Sequence, residues 1–343
     1  MCRSKEFGLS GVRFDPEKIW YSRNIVSVLL LPLSWLFRAA AGARRLYYRV
    51  YHHRRIPPSV FILVVGNLTV GGTGKTPFVI WLARRCRDHG LNVGVVSRGY
   101  RKRKAGKIVD VQPDSLPEEV GDEALLLVQK ISCPVVAAAD RMQAVSLISR
   151  KYKPDVILSD DGLQHYKLPR NVEILVVDGD RRFGNGRCLP AGPLREPVSR
   201  ARSCDLVVSN GCCDGYEYSF EVVAEDAVSL CSDTIRRPLQ HFKGCCVHAV
   251  AGLGNPTRFF RMLENAGIRF FRHVFPDHHS YTEADLEFGD DEPILMTEKD
   301  ALKCKLFVDR DIWYLPIIVL PNPRLEQRIS NLIEGIPRGQ TIA

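Results

Sequence analysis

Short apolar runs without polar alternation recur along the chain: SVFILVV (59–65), the VIL of DVILSDDGLQH (156–158) and VEILVV (172–177). Runs of this kind suit parallel strands buried on both faces. After the first, apolar Phe78, Val79, Trp81, Leu82 and Cys86 stand at helical spacing, basic residues come late, and Gly90 ends the pattern. Strands alternating with helices from Ser59 to about Asn210 predict a doubly wound parallel sheet. Further on, CCVHAVAGLGNPTRFFRMLENAG reads as strand, glycine turn and helix, ILMTEKDALKC as a strand and a helix start, and IWYLPIIVL as a last strand. These predict a core unit over 57–210 and a second, smaller α/β unit over 241–343. Residues 211–240, mixed and extended in character, join the two.

The N-terminal pattern is different. Ile25 to Phe37 is apolar except for Ser27 and Ser34, and Arg38, Arg44, Arg45, Arg49, Arg54 and Arg55 follow without one acid. A thirteen-residue helix reaches only ~20 Å, short of the roughly 30 Å hydrocarbon core, and Pro32 would kink it. The segment 1–56 is therefore expected to hold a helix lying in a membrane interface, with its arginines on anionic headgroups. A helix packed on the protein's own core would explain the apolar residues but not the acid-free arginines. A secretory signal does not fit, because polar residues come first and the positive charges follow the apolar run.

Composition narrows the classes. The 343 residues are 45% hydrophobic and 25% charged, as in a folded protein of two ordinary domains. The net charge of +9 is concentrated in residues 1–55, with eleven Lys/Arg against three acids, so the remainder is close to neutral. That distribution points to a membrane surface and away from nucleic acid. Eleven cysteines show neither a C-x-x-C pair nor zinc-ligand spacing, as expected of reduced thiols.

Between the first strand and helix stands GNLTVGGTGKTP (66–77), a phosphate loop with an unusual spelling. The common form G-x-x-x-x-G-K-[ST] puts Thr69 where a glycine is expected. Strand, glycine-rich turn and helix are nonetheless the context the motif needs. Thr69, Val70, Gly71, Gly72, Thr73 and Gly74 would wrap phosphates with backbone N–H groups, Lys75 would reach the β- and γ-phosphates, and Thr76 would ligate Mg²⁺. GGxGKT also occurs in membrane-associated partitioning ATPases, which carry a signature lysine before the double glycine; here that position is Val70. A membrane-docked regulatory ATPase acting on a protein is thus the second reading. Asp160 and Asp161 end a strand run, where such enzymes hold Mg²⁺, and Gln164 and His165 follow. GNGRCLPAGPLREP is a proline-constrained loop whose Arg187 or Arg195 could clamp an anion, and SRGYRKRKAGK (97–107) holds six Lys/Arg and no acid. AGLGNP lacks the third glycine of a dinucleotide fingerprint and reads as a turn.

Taken in order, VGNLTVGGTGKTP, SRGY, GDE, DDGLQH, GNGRCLPAGPLREP, FPDHH and TEKDA resemble the tetraacyldisaccharide 4′-kinase family of lipid A biosynthesis, from about Gly66 to Asp300. In that family the loop itself reads N-x-x-x-G-G-x-G-K-T-P, so Thr69 matches it. The resemblance implies a P-loop NTPase-like fold and ATP with Mg²⁺ as cofactors. It also implies γ-phosphate transfer to the 4′-hydroxyl of an acylated glucosamine disaccharide phosphate at the cytoplasmic face of the bacterial inner membrane, with no obligate protein partner. It makes Asp122 the catalytic base and His278 its partner, oriented by Asp277. Glu123, Asp160 and Asp161 become the metal and nucleotide acids beside Thr76, and Lys75 with Arg195 or Arg187 would stabilise the transferring phosphate. Arg141 becomes a candidate for the substrate's phosphate, the basic run with Arg98 is a candidate for that phosphate or for anionic lipid, and Gln164 and His165 are further candidates for the substrate.

Overall fold

In a computed structural model of the chain, the described residues are 19–22, 24–51, 60–99, 108–211, 215–304 and 311–338. Two sheets organise them. The larger contains β1 (Phe61–Gly66), β2 (Val93–Ser97), β3 (Val109–Val111), β4 (Val135–Ala137), β5 (Val156–Ser159), β6 (Val172–Asp178), β7 (Leu206–Asn210) and β8 (Tyr218–Ala224). Six strands of the other sheet intervene before β15 (Ile317–Pro321) completes it, in the order β15-β8-β7-β6-β1-β5-β2-β4-β3. β1 pairs in parallel with β5 on one side and β6 on the other, and β3 on the far edge is antiparallel to its neighbour β4. Ile62, Leu63, Val64 and Val65 are fully buried, as an unalternating run requires. The doubly wound parallel core is therefore present.

Parallel strands place all their carboxyl ends on one edge, so the segments after β1, β2, β4 and β5 share that edge. Helices α3 (Lys75–Asp88), α5 (Asp122–Lys130) and α6 (Arg141–Tyr152) connect these strands; a single helical turn, α4 (Pro117–Val120), precedes α5. α3 buries Phe78, Val79, Leu82, Ala83 and Cys86, with the Phe78 ring 5.2 Å from that of Phe220; Trp81 is half-buried.

The N-terminal helices α1 (Ile25–Leu29) and α2 (Leu31–Tyr51) invert the usual arrangement. Their buried residues are the two serines, Ser27 and Ser34, whereas Ile25, Leu29, Leu33, Trp35 and Leu36 are exposed. Packing of the apolar face on the protein's own core is thereby ruled out for the described residues. The helix is interrupted at Leu30, which leaves Pro32 in the first turn of α2, where a missing N–H costs nothing. α2 continues through Arg38, Arg44, Arg45 and Arg49 and so exceeds the thirteen residues of the apolar run; Arg54 and Arg55 lie outside the described residues. Among the described residues, no helix is long and apolar enough to cross a membrane.

The second sheet contains β9 (Ala227–Ser229), β10 (Arg236–Arg237), β11 (Cys246–Ala251), β12 (Arg269–Val274), β13 (Ile294–Thr297) and β14 (Ile312–Leu315), with α7 (Thr257–Asn265) and α8 (Glu298–Cys304). Its order is β10-β9-β14-β13-β11-β12. The described chain divides into a smaller unit, Val222–Ile318, and a larger one that takes in the final helix α9 (Pro323–Glu334). The expected joining stretch 211–240 is thus split: β8 extends the larger sheet while β9 and β10 belong to the smaller. Residues after 318 return to the larger unit because β15 adds to its edge and Glu326 of α9 pairs with Arg85 of α3 at 3.1 Å.

Candidate active site

The phosphate loop runs from β1 into α3. At its start Gly66 is packed so closely that a Cβ would lie 2.7 Å from Leu163, which permits no larger residue without displacement. Gly71 and Gly74 have φ of 108° and 87°, in the region that favours glycine. A Cβ on Gly74 would also meet Asn210, whose Nδ2 donates to the Thr73 carbonyl at 3.0 Å. Gly74 begins α3 with no side-chain cap and no acid in the first turn, which leaves an electropositive helix end. Thr69 forms an isolated antiparallel bridge with Leu194, Val70 N–H donates to the Pro193 carbonyl at 2.8 Å, and Arg195 N–H donates to that of Leu68 at 2.7 Å. The position that departs from the common spelling is therefore in extended pairing with a neighbouring loop, a conformation any residue adopts.

Asp160 and Asp161 follow β5 and sit in opposite environments. Asp160 Oδ2 accepts from Thr76 Oγ1 at 3.1 Å, while its Oδ1 is buried with no hydrogen-bond donor. Burial, and then the charge of Glu123, push this carboxyl up to about 7. Asp161, held at φ 50°, lies 3.3 Å from Lys75 Nζ and 3.3 Å from Arg195 Nη1. Burial alone would raise it as well, but the two cations outweigh that and hold it well below the usual carboxylate range. Arg187, the other loop arginine, instead donates to Ser27 Oγ of α1 at 2.9 Å.

Arg141, at the start of α6, is buried and donates to the carbonyls of Ala138 (2.7 Å) and Asp160 (3.0 Å); its Nε has no partner. Burial pulls it down to about 10, against the opposing pull of Asp160 and Asp161. His165 is lowered to about 4 by burial and by the charges of Arg141 and Arg98, so its ring is neutral at physiological pH. Gln164 turns back to the phosphate loop and donates to the Asn67 carbonyl at 3.0 Å. A cavity of about 220 Å³ opens beside these groups, lined among others by Arg44, Tyr48, Arg141, His165, Tyr166 and Lys167. The Tyr166 hydroxyl is buried without a partner, and its ring stacks on that of Tyr48. Sequence reasoning did not single out Tyr48, Tyr166 or Lys167. The one available signal was Arg44, which belongs to the acid-free arginine run.

Asp122 is buried at the first position of α5, after Gly121 at φ 88°. His278 belongs to the smaller unit, held at φ 62°, with its Nε2 3.6 Å from Asp277, which also pairs with Lys299 at 3.1 Å. Around it three of the sequence motifs converge. Phe275 N–H donates to the Ala251 carbonyl, and buried Asp300 of TEKDA accepts from Gly252 N–H at 2.8 Å and from Thr297 Oγ1 at 2.6 Å. AGLGNP is thus a turn tied down by a carboxylate. Arg98 is exposed at the end of β2, while the rest of the basic run, 100–107, lies outside the described residues.

Among the described residues, no cluster of three or more His, Cys, Asp or Glu is arranged to hold a metal by itself. Mg²⁺ does not need one, because it is usually held by one or two carboxylates together with substrate phosphates and water. The unpartnered Asp160 oxygen beside the Thr76 hydroxyl fits that requirement.

Comparison with known proteins decides the class. Residues 26–334 match the family described as tetraacyldisaccharide-1-P 4′-kinase. The chain belongs to this family. The tetraacyldisaccharide 4′-kinase of Nitrosococcus oceani is 48% identical over 304 residues, which is 88% of this chain and 89% of that protein. That of Methylobacillus flagellatus is 46% identical over 91% of this chain and 94% of its own. The crystal structure of the "apo" form of LpxK from Aquifex aeolicus, in complex with ATP, superposes with a TM-score of 0.73 at 32% identity, covering 90% of this chain and 99% of that one. This 4′-kinase family member is accordingly an ATP-binding kinase, and its α/β architecture is shared with a structure that holds the nucleotide.

Proposed function

We propose that the larger unit transfers the γ-phosphate of ATP to the 4′-hydroxyl of a tetraacyldisaccharide 1-phosphate, the family's step in lipid A biosynthesis, with each residue in a stated role. The loop from Asn67 to Thr76 and the start of α3 take the nucleotide phosphates through backbone N–H groups. Lys75 and Arg195, both on Asp161 in the free protein, exchange that carboxylate for phosphoryl oxygens as ATP enters. Thr76 and Asp160, with Glu123 close enough to act on Asp160, would hold Mg²⁺. When bound, the ion offsets charge on the β- and γ-oxygens.

Asp122 accepts the proton of the attacking hydroxyl; its burial at the start of α5 limits competition from water. His278 and Asp277 keep the roles that the resemblance gives them. Arg141, Arg98, Gln164 and His165 orient the acceptor, and the adjoining cavity receives its sugar-phosphate head. Neutral His165, the spare Arg141 Nε and the Tyr166 hydroxyl supply hydrogen bonds there. The exposed apolar side of α1 and α2 with Arg38, Arg44, Arg45 and Arg49 rests on the cytoplasmic face of the inner membrane, where the lipid's head is already at the surface.

One observation carries this reading: a buried carboxylate oxygen with no donor stands next to a hydroxyl at the first turn of the phosphate-loop helix, with two cations on the adjacent acid. Purified protein given Mg²⁺, γ-labelled ATP and tetraacyldisaccharide 1-phosphate is expected to move label onto the glycolipid. Label appearing only as free phosphate would instead indicate the regulatory ATPase.

A further inference from the structure

The loop GNGRCLPAGPLREP has two bonded edges. Along one, its carbonyls face the N-terminal segment: Ser34 Oγ of α2 donates to Cys188 (2.8 Å), Ser27 Oγ of α1 to Ala191 (2.6 Å) and Trp20 Nε1, just before α1, to Pro190 (3.0 Å). Ser27 is fully buried and also accepts from Asn185 Nδ2 and Arg187 Nη1, both at 2.9 Å. Along the other edge, the same loop joins the phosphate loop through Pro193 with Val70, Leu194 with Thr69 and Arg195 with Leu68, and the Arg195 guanidinium ends on Asp161. The turn between the edges is stiff. Gly192 N–H donates to Cys188, Leu189 N–H to Leu194 and Leu194 N–H to Arg187, and a Cβ on Gly192 would lie 2.3 Å from the Arg187 carbonyl.

A helix that only tethers the protein to a surface would need its exposed apolar residues and nothing more. Here it also carries buried serines whose hydroxyls meet the loop that presents Arg195. We propose that Ser27 is a positioning residue for phosphoryl transfer: through Asn185, Arg187 and the 188–194 turn, the surface helix sets the place of Arg195 relative to the phosphate loop. This rests on the reading of Arg195 as a group that acts on the transferring phosphate. A displacement of about 1 Å at such a group costs up to a hundredfold in rate.

The test is a double-mutant cycle between Ser27→Ala and Arg195→Ala, with kcat for glycolipid phosphorylation as the readout. Ser27→Ala is expected to lower kcat by about ten- to a hundredfold. The KM for ATP should change little and flotation with anionic vesicles should be unchanged, because the exposed side chains are untouched. In the Arg195→Ala background the same substitution should cost no further rate. Multiplicative losses, or wild-type kcat in Ser27→Ala, would overturn the proposal. Normal turnover of Arg195→Ala alone would instead defeat the underlying reading of that arginine. Should Ser27→Ala fail to fold, Arg187→Ala removes the same link from the loop side and is put through the same cycle with the same expectations.

Discussion

Two amphipathic helical regions, α3 and the N-terminal pair α1–α2, meet opposite fates. α3 turns its apolar residues onto β1 and its neighbours and exposes part of its polar face. The N-terminal pair buries two hydroxyls and exposes isoleucine, leucine and tryptophan. An amphipathic pattern identifies two different faces, and the partner decides which is covered. For α3 the partner is the protein's own sheet. For α1–α2 it is a row of backbone carbonyls, which apolar side chains cannot satisfy and serines can.

The comparison can be broken or sharpened experimentally. The largest effect is expected beside the phosphate loop: Asp122→Ala should lower kcat by about 10²- to 10⁴-fold with little change in ATP affinity, measured by steady-state kinetics and nucleotide titration. Near-normal turnover would remove Asp122 as the base. Next, Phe78→Ala on α3 should destabilise folding by about 3–5 kcal/mol in denaturant titration, because it empties a fully buried ring site. A loss below about 1 kcal/mol would mean that α3 is not packed as described.

A third measurement concerns Asp160, whose carboxyl is pushed up to about 7 in the folded protein. A folded-state pKa above the unfolded value of ~3.9 means that the folded form keeps a proton that the unfolded form releases. In metal-free protein this group's contribution to stability therefore falls as pH rises from about 4 to about 7. Thermal unfolding of Asp160→Asn should show a shallower loss over that window, and an identical pH profile would refute the assignment. The smallest effect on folding belongs to the N-terminal pair. Replacing Leu29, Trp35 and Leu36 each with Gln should change stability by only about 0.5 kcal/mol per site, since all three are exposed, yet release the protein from anionic vesicles. Retained flotation would sink the membrane-surface role.

Much of the fold was legible because local pattern and tertiary role agree. The unalternating runs at 59–65, 156–158 and 172–177 read as buried strands and contain β1, β5 and much of β6, and GGTGKT stands at the strand-to-helix junction that a phosphate loop needs. The split of 211–240 between two sheets, and the return of the chain after 318, were not legible. Edge pairing of β8 and β15 depends on backbone placement far along the chain, which the local pattern of neither strand signals.

Within the site, the sequence by itself determined the inventory: a phosphate loop, paired acids after a strand, an arginine-bearing proline loop and a basic apolar N-terminus. Only the tertiary structure distinguished members that look alike in a line of letters. It put Arg195 on Asp161 and Arg187 on Ser27, and left one acid raised by burial while two cations held its neighbour ionised. It also turned Ser27 and Ser34, two interruptions in an apolar run, into the points where that helix is held. The physical reason is common to all three. Charge, burial and hydrogen-bond satisfaction depend on groups far apart in sequence, whereas periodicity and loop spelling depend on neighbours along the chain.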